Sequence, residues 1–154
     1  LEIHQVAIRI GVNAVIVKDN QILLIEFNDE TGSQFNLPGG GVEEGESIHE
    51  ALCREVREET CAEVDIGRLL MVWEYDPNRY MGQFGPNHKI GIIFECRLRS
   101  DSEPSLPTHP DAHQTAVRWF PLADLPSLPV LPSTVKLMAE VLSTQQGAFF
   151  TGNL

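Results

Sequence analysis

One stretch constrains this chain more than any other. Residues 38–62, PGGGVEEGESIHEALCREVREETCA, run a glycine-rich segment straight into a helix crowded with carboxylates. From Ser47 to about Thr60 the apolar residues Ile48, Ala51, Leu52 and Val56 fall at i, i+3, i+4 and i+8, the spacing of one buried helix face. Ser47 is placed to cap the first turn, and Glu50 completes a capping box. At about 100° per residue, Glu55 and Glu59 project about 20° either side of Ile48, along the apolar stripe, with Glu58 on its flank. Neighbouring carboxylates on a helix repel, and its C-terminal half disfavours negative charge further. Something positive is expected to hold them together.

Arg54 and Arg57 lie well off the line of Glu55 and Glu59, so they are expected to orient or screen the acids and hardly to sit between them. A divalent cation can sit there. Hard oxygen ligands with no sulfur or histidine at ligand spacing suit Mg²⁺ or Mn²⁺ better than Zn²⁺. Taken alone, Arg54 to Glu59 would read as an ordinary solvated Glu/Arg surface.

The six residues do not stand alone. Leu37-Pro38-Gly39-Gly40-Gly41 precedes them, and the spacing from Gly40 through Glu46 to Arg54-Glu55-Val56-Arg57-Glu58-Glu59 resembles the signature of the Nudix (MutT-like) hydrolases, here over residues 40–62. That family cleaves a nucleoside diphosphate linked to another group. The chain departs from the signature at Cys61, where the family has a glycine; the helix must stop by another geometry or carry about 1–2 kcal/mol of left-handed strain. The resemblance implies an α+β fold, a mixed curved β-sheet sandwiched between α-helices, in one domain spanning residues 1–154. It places metal on Glu55, Glu58 and Glu59, with the backbone carbonyl of Gly39 as a further ligand and Arg54 positioning one of the glutamates. Glu46 is expected to brace the loop against the helix. Glu55 is the first choice for the base that deprotonates water, and a downstream loop acid, of which Asp111 is the closest, is the rival.

The chemistry accounts for these residue types. Hydrolysis of a phosphoanhydride brings water to phosphorus while charge accumulates on the phosphoryl oxygens, and metal ions neutralise that charge and lower the pKa of water. A net charge of −11 argues against binding a nucleic-acid polymer or an anionic membrane, yet leaves a small nucleotide arriving with metal as substrate. No apolar run approaches the ~20 residues of a membrane span, and the N-terminus lacks a secretory plan. Cys53, Cys61 and Cys96, an odd set without CxxC spacing, read as reduced thiols of a cytoplasmic protein.

Along the chain, Val6 to Lys18 reads as a strand, Asp19-Asn20 as a turn and Gln21 to Phe27 as the hairpin partner. Asn28 to Gln34 reads as a loop, with a short strand at Phe35 to Leu37. Arg9 is a candidate to face nucleotide in a sheet-side pocket, a solvated edge arginine being the plainer reading. Strands are expected over Glu63 to Tyr75, Lys89 to Leu98 and Thr115 to Phe120, and Ser133 is expected to cap a helix running to about Gln145. The tail from Ala148 to Leu154 reads as loose, with Phe149 and Phe150 available to pack on a second subunit of a homodimer.

The connection from Asp76 to His88 is long enough to be functional, and Arg79 and Tyr80 have the basic and aromatic character that gripping a phosphate and a base requires. A plain surface loop is the alternative. Pro77 and Tyr80 sit near positions where ADP-ribose-cleaving and dinucleoside-polyphosphate-cleaving Nudix enzymes carry such residues, and the two hints point different ways. A nucleoside triphosphate, a nucleotide sugar such as ADP-ribose and a dinucleoside polyphosphate all stay open. So does a silent Nudix domain that senses a nucleotide, against which the intact Glu55, Glu58 and Glu59 argue.

Overall fold

The computed structural model describes residues 7–144 and 147–152. Two runs rich in Val and Ile open it as a hairpin, β1 (Arg9–Lys18) and β2 (Gln21–Asp29). Asp19 and Asn20 join them at φ of 50° and 63°, the left-handed pair that a two-residue hairpin turn requires. Most of β1 pairs in parallel with β6 (Lys89–Leu98), and its last two residues pair with β2. The strand therefore belongs to two wings of one curled sheet. One wing holds β4 (Gly39–Gly41), β1, β6, β5 (Val64–Tyr75) and β9 (Phe149–Thr151); the other holds β7 (Gln114–Pro121), β2, β3 (Gly32–Asn36) and β8 (Val130–Leu131).

Alternation along the strands builds two cores. Val12, Ala14 and Ile16 of β1 pack with Leu52 and Val56 of α1 (Ile48–Thr60), whereas Val15 and Ile93 turn to the opposite face. That face is covered by Leu125 and Val135 from two 3-10 turns (Leu122–Ser127 and Ser133–Leu137) and by Met138 of α2 (Met138–Ser143). Leu52 is wholly buried, and removing such a side chain from water contributes roughly 1.5–3 kcal/mol. The expected architecture, a mixed curved sheet between helical layers, is the one observed. Cys53, Cys61 and Cys96 are free thiols, and burial pushes Cys96 up to about 12, which keeps it neutral.

Several local expectations are corrected. The predicted first strand begins at Arg9; Val6 lies outside the described residues. Asn28 to Gln34 is not a loop: β2 runs on to Asp29, whose carboxylate accepts from the Thr31 N–H at 2.7 Å to close a tight turn into β3. Polar side chains hid this hairpin because its tip is exposed. Ser133 begins a 3-10 turn and caps no α-helix; α2 forms only from Met138, after the weak helix formers Ser133, Thr134 and Val135, and Gln145 lies outside the described residues. The tail is not loose over Phe149 to Thr151, which pairs in parallel with Met71 to Trp73; Asn153 and Leu154 lie outside the described residues.

Candidate active site

The site is built where the edge strand β4 meets α1. Gly39, Gly40 and Gly41 pair with Asn13, Val12 and Gly11 of β1, so a segment with no side chains lies flat against the sheet. Only glycine fits at its start: Gly39 has φ of 151°, and a Cβ there would lie 2.0 Å from the Val12 carbonyl oxygen. A Cβ on Gly40 would lie 2.5 Å from the Glu55 carboxylate. The glycine loop and the helix acids are thus in direct contact.

The helix presents those acids as its sequence dictates. The capping box forms, with the Glu50 N–H donating to Ser47 Oγ at 3.2 Å and the Ser47 N–H to Glu50 Oε2 at 2.8 Å. The far end closes on Cys61 at φ of 58°, so the chain takes the left-handed exit that a glycine would take without strain. Between these ends Glu59 is 6% exposed, Glu55 is half-buried and Glu58 is exposed.

Arg54 organises the loop side. Its Nε and Nη2 donate to Glu46 at 2.5 and 3.0 Å, Nη2 also reaches the Gly41 carbonyl at 3.0 Å, and Nη1 donates to Glu55 at 2.7 Å and to Glu58 at 3.3 Å. As expected, this arginine orients the acids without sitting between Glu55 and Glu59: its long stem swings the guanidinium over Glu55 and Glu58, and none of its bonds reaches Glu59 among the described residues. Glu46 does brace the loop: it accepts from the Glu43 N–H at 2.9 Å as well as from Arg54, and these bonds hold its carboxyl down at about 2. Arg57 turns away to Glu63.

Glu59 has no such cation. Its Oε2 accepts from the Gly39 N–H at 2.8 Å, and no ion pair reaches it among the described residues. Burial pushes its pKa up to about 8, with the Gly39 bond opposing and Glu55, Asp111 and Glu58 adding repulsion. Burial likewise raises Glu55, against the pull of Arg54. Gln114 lies behind Glu59: its Nε2 donates to the Glu59 carbonyl at 2.9 Å, and its buried Oε1 has no partner among the described residues.

This donor set suits a hard divalent cation. Two half-buried to buried carboxylates and a backbone carbonyl at Gly39 offer oxygens only, and among the described residues no cation stands by to hold Glu59 in its charged form. Among the described residues no three acidic, histidine or cysteine side chains enclose an ion unaided, so backbone, water or substrate oxygens would complete the shell.

The other candidates are spread more widely. Arg9 lies at the mouth of a trough beside Gly41, with Lys89 and Trp73. Tyr80 stacks on Tyr75 with centroids 5.7 Å apart and donates its hydroxyl to the Gly152 carbonyl, which fastens the 76–88 connection to the C-terminal segment. Arg79 is exposed beside Gly152. Trp73 and Lys89 were missed by sequence reading; the signal was Gly11 and Gly91, isolated glycines inside apolar strands, which mark a close approach of backbone or ligand.

A family model described as NUDIX domain matches residues 7–142. The chain is 40% identical over 86 residues to an ADP-ribose pyrophosphatase of Methanocaldococcus jannaschii, covering 55% of this chain and 48% of that protein. It is 42% identical over 95 residues to the nucleoside triphosphatase NudI of Escherichia coli, covering 53% of this chain and 63% of that one. The match spans about half to under two thirds of the length of these relatives. Among solved structures, a MutT NUDIX hydrolase from Burkholderia pseudomallei superposes with a TM-score of 0.68 at 28% identity, covering 91% of this chain and 99% of that one. No helix among the described residues is long and apolar enough to cross a membrane.

Proposed function

Because this chain belongs to the Nudix family, we propose that it is a divalent-metal-dependent hydrolase that cleaves a pyrophosphate bond in a nucleoside diphosphate linked to another moiety. The two named relatives, an ADP-ribose pyrophosphatase and a nucleoside triphosphatase, support this class and differ in substrate.

One observation carries the reading. Glu59 is a buried carboxyl held only by the Gly39 N–H among the described residues, where Arg54 serves its neighbours and no cation reaches it. Ionising such a group is costly, as its raised pKa of about 8 records, unless an ion matches the charge. Mg²⁺ or Mn²⁺ would be held by Glu59, Glu55, Glu58 and the carbonyl of Gly39. When bound, the ion supplies charge neutralisation at the phosphoryl oxygens and acidifies water.

The chain's own groups do the rest. The side-chain-free strand β4 lets the diphosphate approach the backbone at Gly41, where a Cβ would meet nothing within 4 Å, while Gly40 makes room for the Glu55 carboxylate. Arg54 fixes Glu55 and Glu58 and ties them to the loop through Glu46. Glu55, half-buried with a raised pKa, is the residue we assign to take the proton of the attacking water; Asp111, whose charge acts on both Glu55 and Glu59, is the competing base. A panel of nucleoside triphosphates, ADP-ribose, other nucleotide sugars and dinucleoside polyphosphates, assayed with Mg²⁺ or Mn²⁺ and again with EDTA, tests the proposal. Turnover of at least one member that EDTA abolishes is expected, and no metal-dependent turnover across the panel would overturn it.

A further inference from the structure

We propose that Tyr80 is the catch of a latch: the 76–88 connection and the C-terminal strand β9 open and close as one unit, and opening uncovers the aromatic cavity beneath the connection. Its effect on turnover rests on the hydrolase reading above; the coupling of the two segments does not.

Neither segment is strongly held by itself. The connection is rolled up by its own turns: the Tyr80 and Gly82 N–H groups donate to the Asp76 and Pro77 carbonyls at 3.3 and 2.9 Å, and the exposed Met81 takes φ of 50°. It sits on Tyr75, which is wholly buried and whose hydroxyl accepts from the Phe84 N–H at 3.1 Å and donates to the Gly85 carbonyl at 2.7 Å. The Tyr80 and Phe84 rings close over Tyr75, with centroids 5.7 and 5.6 Å from it. Strand β9 has three residues, pairs in parallel, the slightly weaker ladder, and leaves Phe150 63% exposed, so burial of that side chain contributes little. Short elements of this kind are the ones that open locally. The Tyr80 hydroxyl, donating to the Gly152 carbonyl, joins them. Each segment then loses a bond when the other leaves, and the coupling runs equally in both directions.

Opening changes one cavity in particular. Phe84 and Tyr75 wall a space of about 260 Å³ that Trp73 also lines and that Leu131, Pro132 and Ser133 bound from the other side of the chain. Phe84 belongs to the connection, so it is the wall that moves. Trp73 stays: its indole lies over Gly91, where a Cβ would be 1.9 Å from the ring, at the end of the register row Gly41, Gly11, Gly91, Trp73 across four strands. The same tryptophan pairs in register with Thr151 of β9. Both halves of the latch therefore border Trp73, one across the cavity and one along the sheet. Tyr80 is accordingly a positioning residue: its hydroxyl is taken by Gly152 and its ring by Tyr75, and it acts on what enters the cavity through Phe84.

The test breaks the latch from each side and reads the other. Tyr80→Phe removes the hydroxyl alone. Phe150→Pro with Thr151→Pro breaks the β9 ladder, because successive N–H groups of a strand point to opposite sides and one of these two must face β5. Without substrate, Tyr80→Phe is expected to quicken hydrogen exchange over Phe149–Thr151 about threefold or more, and the double proline variant to do the same at the Phe84 amide, with exchange in α1 unchanged, as loss of one neutral hydrogen bond implies. In a Trp119→Phe background, which leaves Trp73 as the single tryptophan, acrylamide quenching of its fluorescence should rise about twofold or more in both variants. On any substrate the panel turns over, both should raise KM about threefold or more with kcat within about twofold. Exchange that quickens only in the altered segment, unchanged quenching, or an unmoved KM in both variants would overturn the latch. An unmoved KM leaves the hydrolase standing. A panel without turnover removes the hydrolase, and exchange and quenching, which need no substrate, then decide the latch.

Discussion

Gly40 and Glu55 meet so closely that a Cβ on the glycine would lie 2.5 Å from the glutamate's carboxyl carbon. The contact is with the end of a flexible side chain, so Gly40→Ala should fold. It should nevertheless push Glu55 off its bond to Arg54, and displacing a positioned carboxylate of this kind costs about 10–100-fold in activity. We expect kcat to fall within that range with the circular dichroism spectrum unchanged; wild-type turnover would show that Glu55's position is not critical.

Glu59→Gln separates charge from shape. The Gly39 N–H still finds an oxygen, and the fold loses a buried carboxyl whose ionised form no cation among the described residues compensates. Turnover should fall about a hundredfold or more, while the metal-free protein keeps or gains stability above pH 8. A variant as active as the parent, assayed on the same substrate, would remove Glu59 from the ion site.

The same residue sets a pH dependence in metal-free protein. Glu59 is raised from 4.5 to about 8 on folding, so between those values the folded state holds a proton that the unfolded state has lost. Stability from this group is therefore full below pH 4.5 and falls as pH rises to about 8, at a slope of up to about 1.4 kcal/mol per pH unit. Added Mg²⁺ competes with that proton and should raise Tm more at pH 8 than at pH 5. Urea titrations across this range check the slope, and Glu59→Gln should flatten it.

Glu46 works in the opposite direction. Arg54 and the Glu43 N–H hold its carboxyl at about 2, below its ordinary 4.5, so its contribution is present above pH 4.5 and is lost as pH falls through 2. Arg54→Met removes the bond and should shift the acid-unfolding midpoint upward. An unmoved midpoint would mean the Glu46–Arg54 bridge does not tie loop to helix.

The parts legible in sequence are those where one local rule decides. Ser47 and Glu50 announced the helix start, Ile48, Ala51, Leu52 and Val56 its buried face, and Asp19-Asn20 the first hairpin, because capping, period and left-handed turns are written in adjacent residues. The reach of Arg54 to Glu55 and Glu58 was not legible, since a long side chain escapes the angular projection of its Cα. Nor was the Gly41, Gly11, Gly91, Trp73 row, which exists only through the register of four strands distant in sequence. Phe149 to Thr151 gave no sign of pairing because its partner, Met71 to Trp73, lies nearly eighty residues away and contributes the hydrogen bonds that the short segment lacks.

Cys61 offers a stability test independent of the chemistry. It ends α1 at φ of 58° and ψ of 10°, with its N–H donating to the Arg57 carbonyl at 2.9 Å, and its side chain is exposed. A residue with a Cβ in that conformation carries about 1–2 kcal/mol of strain that glycine does not. Glycine also gains backbone freedom in the unfolded chain, worth about 0.4–1 kcal/mol in the other direction. Cys61→Gly should therefore stabilise the protein by about 0.5–1 kcal/mol, seen as a higher urea midpoint at unchanged m value, with kcat unaltered because Glu55 and Glu59 lie upstream of the cap. A lower midpoint would show that the cysteine makes a compensating contact and that the left-handed exit is not strained.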